Sequence, residues 1–166
     1  MFNSRSAKIA FCRRVGGLLL LALLLGGYGC AKKIAVGVTP SKPATGNGIV
    51  ATALSQIGTK YTAGGESPAT GFDCSGLVSW VYSRHGVTVP RRTQEQASVG
   101  KNIPRSQMQP GDIVVFTISR RLGMHTGIYA GQGKFIHSPG SGKRVREESM
   151  SVPYWNSRFT AARRVL

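Results

Sequence analysis

Residues 71–78 read Gly-Phe-Asp-Cys-Ser-Gly-Leu-Val and place a cysteine where a predicted helix begins. Asp73 is a residue type that caps helices, so Cys74 falls in the first turn, where backbone N–H groups lack partners within the helix. Those donors and the helix dipole favour a thiolate at Cys74 and suit the oxyanion of an acyl-transfer intermediate. The helix is predicted over residues 74–85 from apolar side chains at helical spacing, namely Leu77, Val78, Val81 and Tyr82.

The sequence before and after this stretch predicts two further helices. Residues 47–58 carry an apolar stripe, with Asn47 as the expected N-cap and Gly58 as the expected end, and residues 92–99 predict a short helix. Residues 59–72 are rich in glycine and are predicted to form a loop. The stripe of the first helix consists of Ile49, Val50, Ala53, Leu54 and Ile57.

Beyond residue 110 the pattern changes from helices to strands. Short apolar runs separated by glycines and charged residues are typical of strands joined by turns. Helices followed by strands predict an α+β fold with an antiparallel sheet. The predicted strands are 112–118, 125–130, 134–138, 144–148 and 159–165.

Two histidines are candidate partners for the thiol. His125 opens one strand of a predicted hairpin and His137 lies near the end of the other. An odd number of turn residues, for example 131–133, places both on the same side of the sheet, whereas a two-residue turn places them on opposite sides. We expect the odd turn, with His125 taking the thiol proton and His137 orienting its imidazole. The alternative is a pair of polar sheet residues, and His85 is interpreted as structural, at a helix C-terminus.

The first 29 residues resemble an export signal. The 166-residue chain has 22 Lys and Arg against 6 Asp and Glu, a net charge of +16, and room for one domain. Four of these cations precede Val15–Leu25, an apolar run of 11 residues that is short for a membrane span. A buried N-terminal helix is the alternative.

Removal of residues 1–29 leaves a net charge of +12, which favours anionic envelope polymers. Scattered cations and the export signal argue against nucleic acid as a partner.

Cys30 stands where the signal ends and resembles the lipidated cysteine of bacterial lipoproteins. Gly29 fits that pattern, whereas Gly27 stands where an aliphatic residue is usual. We expect lipidation at Cys30, a flexible tether over residues 30–46 and anchoring in the outer membrane, facing the periplasm. Soluble export is the alternative.

With Cys30 acylated, Cys74 is a lone thiol in an oxidising compartment, which is typical of a reactive cysteine. We expect Gly76 to keep the first helical turn open to substrate. A buried structural cysteine and a disulfide with Cys30 remain open as alternatives. The sequence after residue 30 contains no Cys-x-x-Cys or His-x-x-x-His pair, so neither a metal site nor a cofactor is predicted.

At these residues the chain resembles the NlpC-type cell-wall peptidases, papain-like cysteine peptidases of the bacterial envelope. The resemblance covers residues 47–166 and implies a papain-like α+β fold, with N-terminal helices packed on a central antiparallel sheet. The matching segments are Tyr61 with Gly64, Gly65 and Pro68, then Gly71–Val78, Pro90-Arg91 with Gln96 and Gly100, Gly111-Asp112, His125–Tyr129 and Phe135–Ser138.

The resemblance also implies a reaction and roles for its residues. Cys74 corresponds to the nucleophile, His125 to the general base and His137 to the orienting third member. The implied reaction hydrolyses peptidoglycan stem peptides, at the bond between D-glutamate and a diamino acid such as diaminopimelate, without a cofactor and as a monomer.

Three further residues are implied in substrate binding. Tyr61 is implied to assist the oxyanion or touch substrate. Asp73 and Ser75 are implied to bind the stem peptide, with Asp73 meeting a free amino group. Two other functions are considered: an envelope lipoprotein that binds peptidoglycan without cutting it, and an amidase or acyltransferase on the same fold.

Overall fold

The computed structural model describes residues 43–121 and 123–166. Within these ranges, no helix has the length and hydropathy needed to cross a membrane. The predicted signal peptide and the predicted lipidation site at Cys30 lie outside the described residues, as does most of the predicted tether. The elements are α1 (Gly46–Leu54), β1 (Glu66–Ser67), β2 (Gly71–Phe72), α2 (Cys74–Ser83), α3 (Thr93–Gln96), β3 (Lys101–Ile103), a 3₁₀ turn (Arg105–Gln107), β4 (Ile113–Ser119), β5 (Gly123–Gly131), β6 (Lys134–His137), β7 (Arg146–Ser149), α4 (Pro153–Asn156) and β8 (Phe159–Arg164).

Six strands form one antiparallel sheet in the order β3-β8-β4-β5-β6-β7. The last strand of the chain therefore lies between β3 and β4. Helices α1 and α2 pack against each other and across β5, and β1 and β2 form a separate two-stranded ribbon. The predicted α+β architecture, with N-terminal helices on an antiparallel sheet, is confirmed.

Helix α1 begins earlier than predicted. Thr45, not Asn47, is the N-cap, because its hydroxyl accepts a hydrogen bond from the N–H of Gly48 at 3.2 Å. Thr45 and Gly46 therefore belong to the domain rather than to the predicted tether. The predicted apolar stripe was too wide, since Leu54 is 41% exposed and Ile57 is 49% exposed. Only the other three members of that stripe lie in the core.

Helix α2 follows its prediction closely. Asp73 caps it through a 2.7 Å hydrogen bond from the N–H of Gly76 to the carboxylate. The predicted apolar side is buried against the sheet, while Cys74 is half-buried at the first position of the helix. His85, just beyond the helix, bonds the hydroxyl of Thr52 at 2.8 Å and so ties α2 to α1, which supports its structural interpretation.

Five elements were not predicted from the sequence. The ribbon of β1 and β2 lies within the predicted loop 59–72, β3 is a polar segment, and the 3₁₀ turn and α4 are single helical turns. None of these has the hydrophobic periodicity on which a sequence prediction depends. Strand β3 is defined by its pairing with β8, a contact between residues far apart in the sequence.

The hairpin of β5 and β6 places its histidines as predicted, but by a different turn. Gly131 pairs with Lys134, so the turn has two residues, Gln132 and Gly133, with φ of 52° and 71°. Positive φ at both positions is typical of the two-residue turn that matches strand twist. A register shift between Tyr129 and Gly131 inserts the additional residue that restores the parity. The expected odd turn was therefore wrong, although the two histidines share one face.

A buried carboxamide joins the start of α2 to β5. Gln96 is fully buried, and its Nε2 donates to the carbonyl of Ser75 at 3.0 Å and to that of Pro90 at 2.7 Å. Its Oε1 accepts from the hydroxyl of Thr126 at 2.8 Å. Ser75 adjoins Cys74 and Thr126 adjoins His125, so this amide fixes the two segments relative to each other.

We predict that Gln96→Leu lowers the free energy of unfolding by about 2–4 kcal/mol, because it leaves buried backbone and hydroxyl groups without partners while keeping side-chain volume. Urea denaturation measures this loss. Gln94→Leu is the matched control, since Gln94 is exposed on the same helix. Equal stability of the two variants would contradict the assigned role.

Candidate active site

Cys74 is a free, half-buried thiol at the N-terminus of α2. Its Sγ lies 3.9 Å from the hydroxyl of Thr93, the first residue of α3. This exposure argues against a cysteine sequestered in the core. Helix α2 packs across β5, the strand that carries His125. The predicted nucleophile and the predicted base are thus on two elements in direct contact.

The two predicted histidines meet in the structure. Nε2 of His125 lies 2.8 Å from Nδ1 of His137, and both rings are buried. Burial lowers the pKa of His125 to about 4. Burial, followed by the charges of His125, Arg146 and Lys143, lowers the pKa of His137 well below its ordinary value. Both rings are therefore neutral near pH 7, and one must donate a proton to the other.

Trp155 of α4 covers this pair, although the sequence analysis did not identify it. Its ring centroid lies 5.3 Å from that of His125 and 5.0 Å from that of His137. The indole N–H donates to the carboxylate of Glu148 on β7. A tryptophan in an unpredicted single-turn helix carries no local sequence signal for this position, so only the tertiary fold reveals it.

Tyr61 lies near the thiol, in the segment that bridges to Phe72 of β2. Burial raises the pKa of Tyr61, and the charges of Cys74 and Asp73 raise it further. Its hydroxyl is therefore protonated near pH 7 and can donate a hydrogen bond. This placement beside Cys74 agrees with the predicted oxyanion or substrate contact and leaves the role itself as a prediction.

Asp73 and Ser75 come together around Arg91, whose role the sequence analysis missed. The guanidinium donates to both carboxylate oxygens of Asp73, at 2.9 and 2.7 Å, and to the hydroxyl of Ser75 at 3.0 Å. It also pairs with Glu66 at 3.1 Å. Burial alone would raise the pKa of Asp73, but hydrogen bonds from Arg91 and the Gly76 N–H hold it below its ordinary value. The only sequence signal for Arg91 was its place in the matching Pro90-Arg91 segment.

The predicted role of Gly76 is wrong. Gly76 is buried, and a Cβ at this position would collide with the carbonyl oxygen of Gly65. The missing side chain therefore permits close packing of the loop on α2 rather than access for a substrate.

In residues 43–121 and 123–166, no group of three His, Cys, Asp or Glu side chains is placed to hold a metal ion. The candidate site residues supply a thiol, two imidazoles, a phenol and a carboxylate–guanidinium pair.

Comparison with known proteins identifies the family. A model described as the NlpC/P60 family matches residues 58–164. The chain belongs to the NlpC/P60 family. The matched range includes Tyr61, Asp73, Cys74, Ser75, His125 and His137, and it confirms the resemblance found in the sequence.

Solved NlpC/P60 structures share the fold. An NlpC/P60 family protein from Bacillus cereus ATCC 10987 superposes with a TM-score of 0.71 at 30% identity, over 76% of this chain and 42% of that one. The NlpC/P60 domain of the peptidoglycan hydrolase SagA superposes with a TM-score of 0.64 at 35% identity, over 74% of this chain and all of that one. The predicted papain-like arrangement is therefore confirmed.

Curated relatives of this NlpC/P60 chain are longer proteins. The murein DD-endopeptidase MepH of Escherichia coli K12 is 42% identical over 117 residues, which cover 68% of this chain and 43% of MepH. The gamma-DL-glutamyl hydrolase of Bacillus subtilis 168 is 39% identical over 142 residues, which cover 84% of this chain and 33% of the hydrolase. The chain thus spans less than half the length of either relative.

We predict that Arg91→Gln lowers the free energy of unfolding by about 1 kcal/mol at pH 7, because Asp73 loses its ion pair in a partly exposed setting. Since the pKa of Asp73 is lowered by folding, this contribution is present above about pH 4 and is lost as pH falls through the lowered pKa. Denaturation at pH 7 and pH 3 measures the effect, with the exposed Arg92→Gln as control. A deficit that is the same at both pH values would refute the ion-pair explanation.

A further prediction concerns the buried imidazole of His125. Because the folded pKa of His125 is near 4 and its unfolded pKa near 6.5, its contribution to stability is complete above about pH 6.5 and declines as pH falls toward 4. Between pH 7 and pH 4.5, the wild-type protein should therefore lose about 2 kcal/mol more unfolding free energy than His125→Asn. Urea titrations at several pH values test this. Above pH 7 the plots of unfolding free energy against pH should run parallel for the wild type and His125→Asn. Plots that stay parallel down to pH 4.5 would disprove the lowered pKa of His125.

Proposed function

We propose that this NlpC/P60 chain is a cysteine peptidase that hydrolyses peptidoglycan stem peptides. The observation that carries the proposal is the buried pair of His125 on β5 and His137 on β6, together with the packing of the thiol-bearing helix α2 against β5. The names of similar proteins support the substrate class, since they include peptidoglycan endopeptidases and a gamma-DL-glutamyl hydrolase.

In the proposed mechanism, Cys74 is the nucleophile and His125 is the general base. Nε2 of His125 faces His137, so the remaining ring nitrogen, Nδ1, is the one available to take the thiol proton. Cys74 then attacks the carbonyl, and the imidazolium of His125 protonates the leaving amine and later activates water. His137 orients the ring of His125 and accepts its Nε2–H.

The first turn of α2 and Tyr61 are proposed to hold the oxyanion. The N–H of Gly76 is bonded to the Asp73 side chain, and that of Leu77 is bonded to the Asp73 carbonyl. The N–H groups of Cys74 and Ser75 precede these in the first turn, where intrahelical acceptors are lacking. Together with the Tyr61 hydroxyl, they supply donors next to the sulfur.

Asp73 and Ser75 are proposed to bind the stem peptide, with Asp73 meeting a free amino group. In the structure Oδ1 of Asp73 accepts from Gly76, Arg91 and Ser75, whereas Oδ2 accepts from Arg91. A carboxylate offers about four acceptor sites, so Oδ2 retains capacity for a substrate ammonium. The charge of Arg91 would also attract a substrate carboxylate.

The bond that we propose is the one between D-glutamate and the diamino acid. The names of the gamma-DL-glutamyl hydrolase and of a further relative, the bifunctional muramidase/DL-endopeptidase CwlT of Bacillus subtilis 168, support this bond. MepH and another Escherichia coli K12 relative, MepS, are instead named murein DD-endopeptidases. We further propose a monomeric enzyme of the cell envelope that needs no cofactor and binds no nucleic acid. Its anchor would be a lipid on Cys30 in the outer membrane.

We predict that Cys74→Ala lowers the release of fragments from purified peptidoglycan by roughly 1,000-fold or more, because the nucleophile is lost. Mass spectrometry of the fragments measures both activity and bond. Fragments that end in D-glutamate indicate the proposed bond, whereas conversion of cross-linked dimers to monomers indicates the DD bond. Cys30→Ser is the control and should retain wild-type release, since its thiol lies outside the matched range.

Two outcomes would reject the peptidase. A wild-type protein that sediments with peptidoglycan but releases no fragments, before and after thiol alkylation, is a binding protein. A wild-type protein that leaves stem peptides intact but turns over lipid amides is an acyltransferase or amidase on the same fold. Wild-type release by Cys74→Ala would refute the cysteine mechanism itself.

A further inference from the structure

Glu148 of β7 lies behind the histidine pair, on the side away from His125. In the β6–β7 register Glu148 pairs with Phe135 and Arg146 pairs with His137, so Glu148 shares the face of the sheet that carries His137. Oε2 of Glu148 lies 3.2 Å from Nε2 of His137 and also accepts the indole N–H of Trp155. Oε1 pairs with Arg146.

The contact between Glu148 and His137 is electrostatic rather than a hydrogen bond of standard geometry. His137 is fully buried, and its Nε2 has no hydrogen-bond partner within the described residues. Since Oε2 is at 3.2 Å, the carboxylate charge still acts directly on this nitrogen. A buried ring nitrogen beside a carboxylate is stabilised when it carries a proton and destabilised when it presents a lone pair.

We propose that Glu148 is a positioning residue that selects the tautomer of His137 and, through it, the tautomer of His125. With the proton of His137 on Nε2, facing Glu148, its Nδ1 presents a lone pair to Nε2 of His125. Nε2 of His125 must then carry the proton of that ring, which leaves Nδ1 of His125 as the basic nitrogen. This inference rests on the proposed function, in which Nδ1 of His125 takes the proton of Cys74.

The opposite tautomer shows why the selection matters. A proton on Nδ1 of His137 would be donated to Nε2 of His125, and the proton of His125 would then sit on Nδ1. That arrangement turns the lone pair of His137 toward the carboxylate and leaves His125 unable to accept the thiol proton. Without Glu148, the cations Arg146 and Lys143 would attract that lone pair, so the charges that add to the effect of burial in keeping His137 neutral would favour the inactive tautomer.

Glu148 has a second structural contact, with Trp155, which a test must separate from tautomer selection. Glu147 provides a matched control on the same strand. It pairs with Ile136 in the register and with Lys134 through a 3.1 Å ion pair, on the opposite face of the sheet. Substitutions at 147 and 148 therefore remove the same charge from the same strand, but only one of them faces His137.

The decisive measurement is nitrogen-15 NMR of the histidine rings in the full-length wild-type protein at pH 7. We expect pyrrole-type shifts for Nε2 of both rings and a pyridine-type shift for Nδ1 of His125. Glu148→Leu should give a mixture of tautomers, and the alkylation rate of Cys74 by iodoacetamide should fall by between about threefold and tenfold. Glu148→Gln retains an acceptor, so its tautomer populations and alkylation rate should lie between those of the wild type and of Glu148→Leu. Glu147→Leu should match the wild type in both measurements.

Each result decides the proposal. A wild-type His125 with its proton on Nδ1 overturns it without any variant, even if Glu148→Leu does not fold. So does a folded Glu148→Leu with wild-type tautomers and wild-type alkylation. If the wild type shows the expected tautomers but releases no peptidoglycan fragments, the peptidase function fails while tautomer selection by Glu148 stands.

Discussion

The buried carboxamide of Gln96 is the interaction on which the alignment of the site depends. Its side chain bonds the carbonyl of Ser75, the residue after Cys74, and the hydroxyl of Thr126, the residue after His125. It also bonds the carbonyl of Pro90 in the loop before α3. Helix α2 and strand β5 are far apart in sequence, and packing of apolar surfaces alone would allow them to slide. Directed bonds in a buried setting are costly to leave unmade, so they restrict the two elements to one relative position.

The same principle governs the histidine pair. Both rings are removed from water, which keeps them neutral and makes each ring nitrogen a directional donor or acceptor. A neutral pair has two tautomeric states, and geometry alone does not choose between them. The surrounding residues therefore have two tasks: Trp155 restricts the ring positions by contact, and Glu148 contributes a charge that distinguishes the two states.

The sequence predicted those features of the fold that are determined by residues close together in the chain. Helix α2 was predicted well because its cap and its apolar spacing lie in one short stretch. The shared face of His125 and His137 was predicted from strand parity, although a two-residue turn and a register shift replaced the expected odd turn. Arg91, Trp155 and Glu148 act through contacts with residues distant in the chain, and strand β3 exists by its pairing with β8. Such contacts have no periodicity that a single sequence displays.

The few acidic residues of the chain include two at the candidate site. Against 22 Lys and Arg the chain has 6 Asp and Glu, and two of these lie at the candidate site: Asp73 caps the helix that begins at Cys74, and Glu148 faces His137. An excess of cations produces a positive potential that attracts anionic polymers over a distance, but it would also favour the wrong protonation states close to the site. Asp73 fixes the helix N-terminus with Arg91, and Glu148 balances Arg146 beside His137. The excess of cations therefore sets the long-range positive potential, whereas Asp73 and Glu148 set the electrostatics close to the site. Substitution of a distant cation can thus change the long-range potential without changing the protonation states at the site.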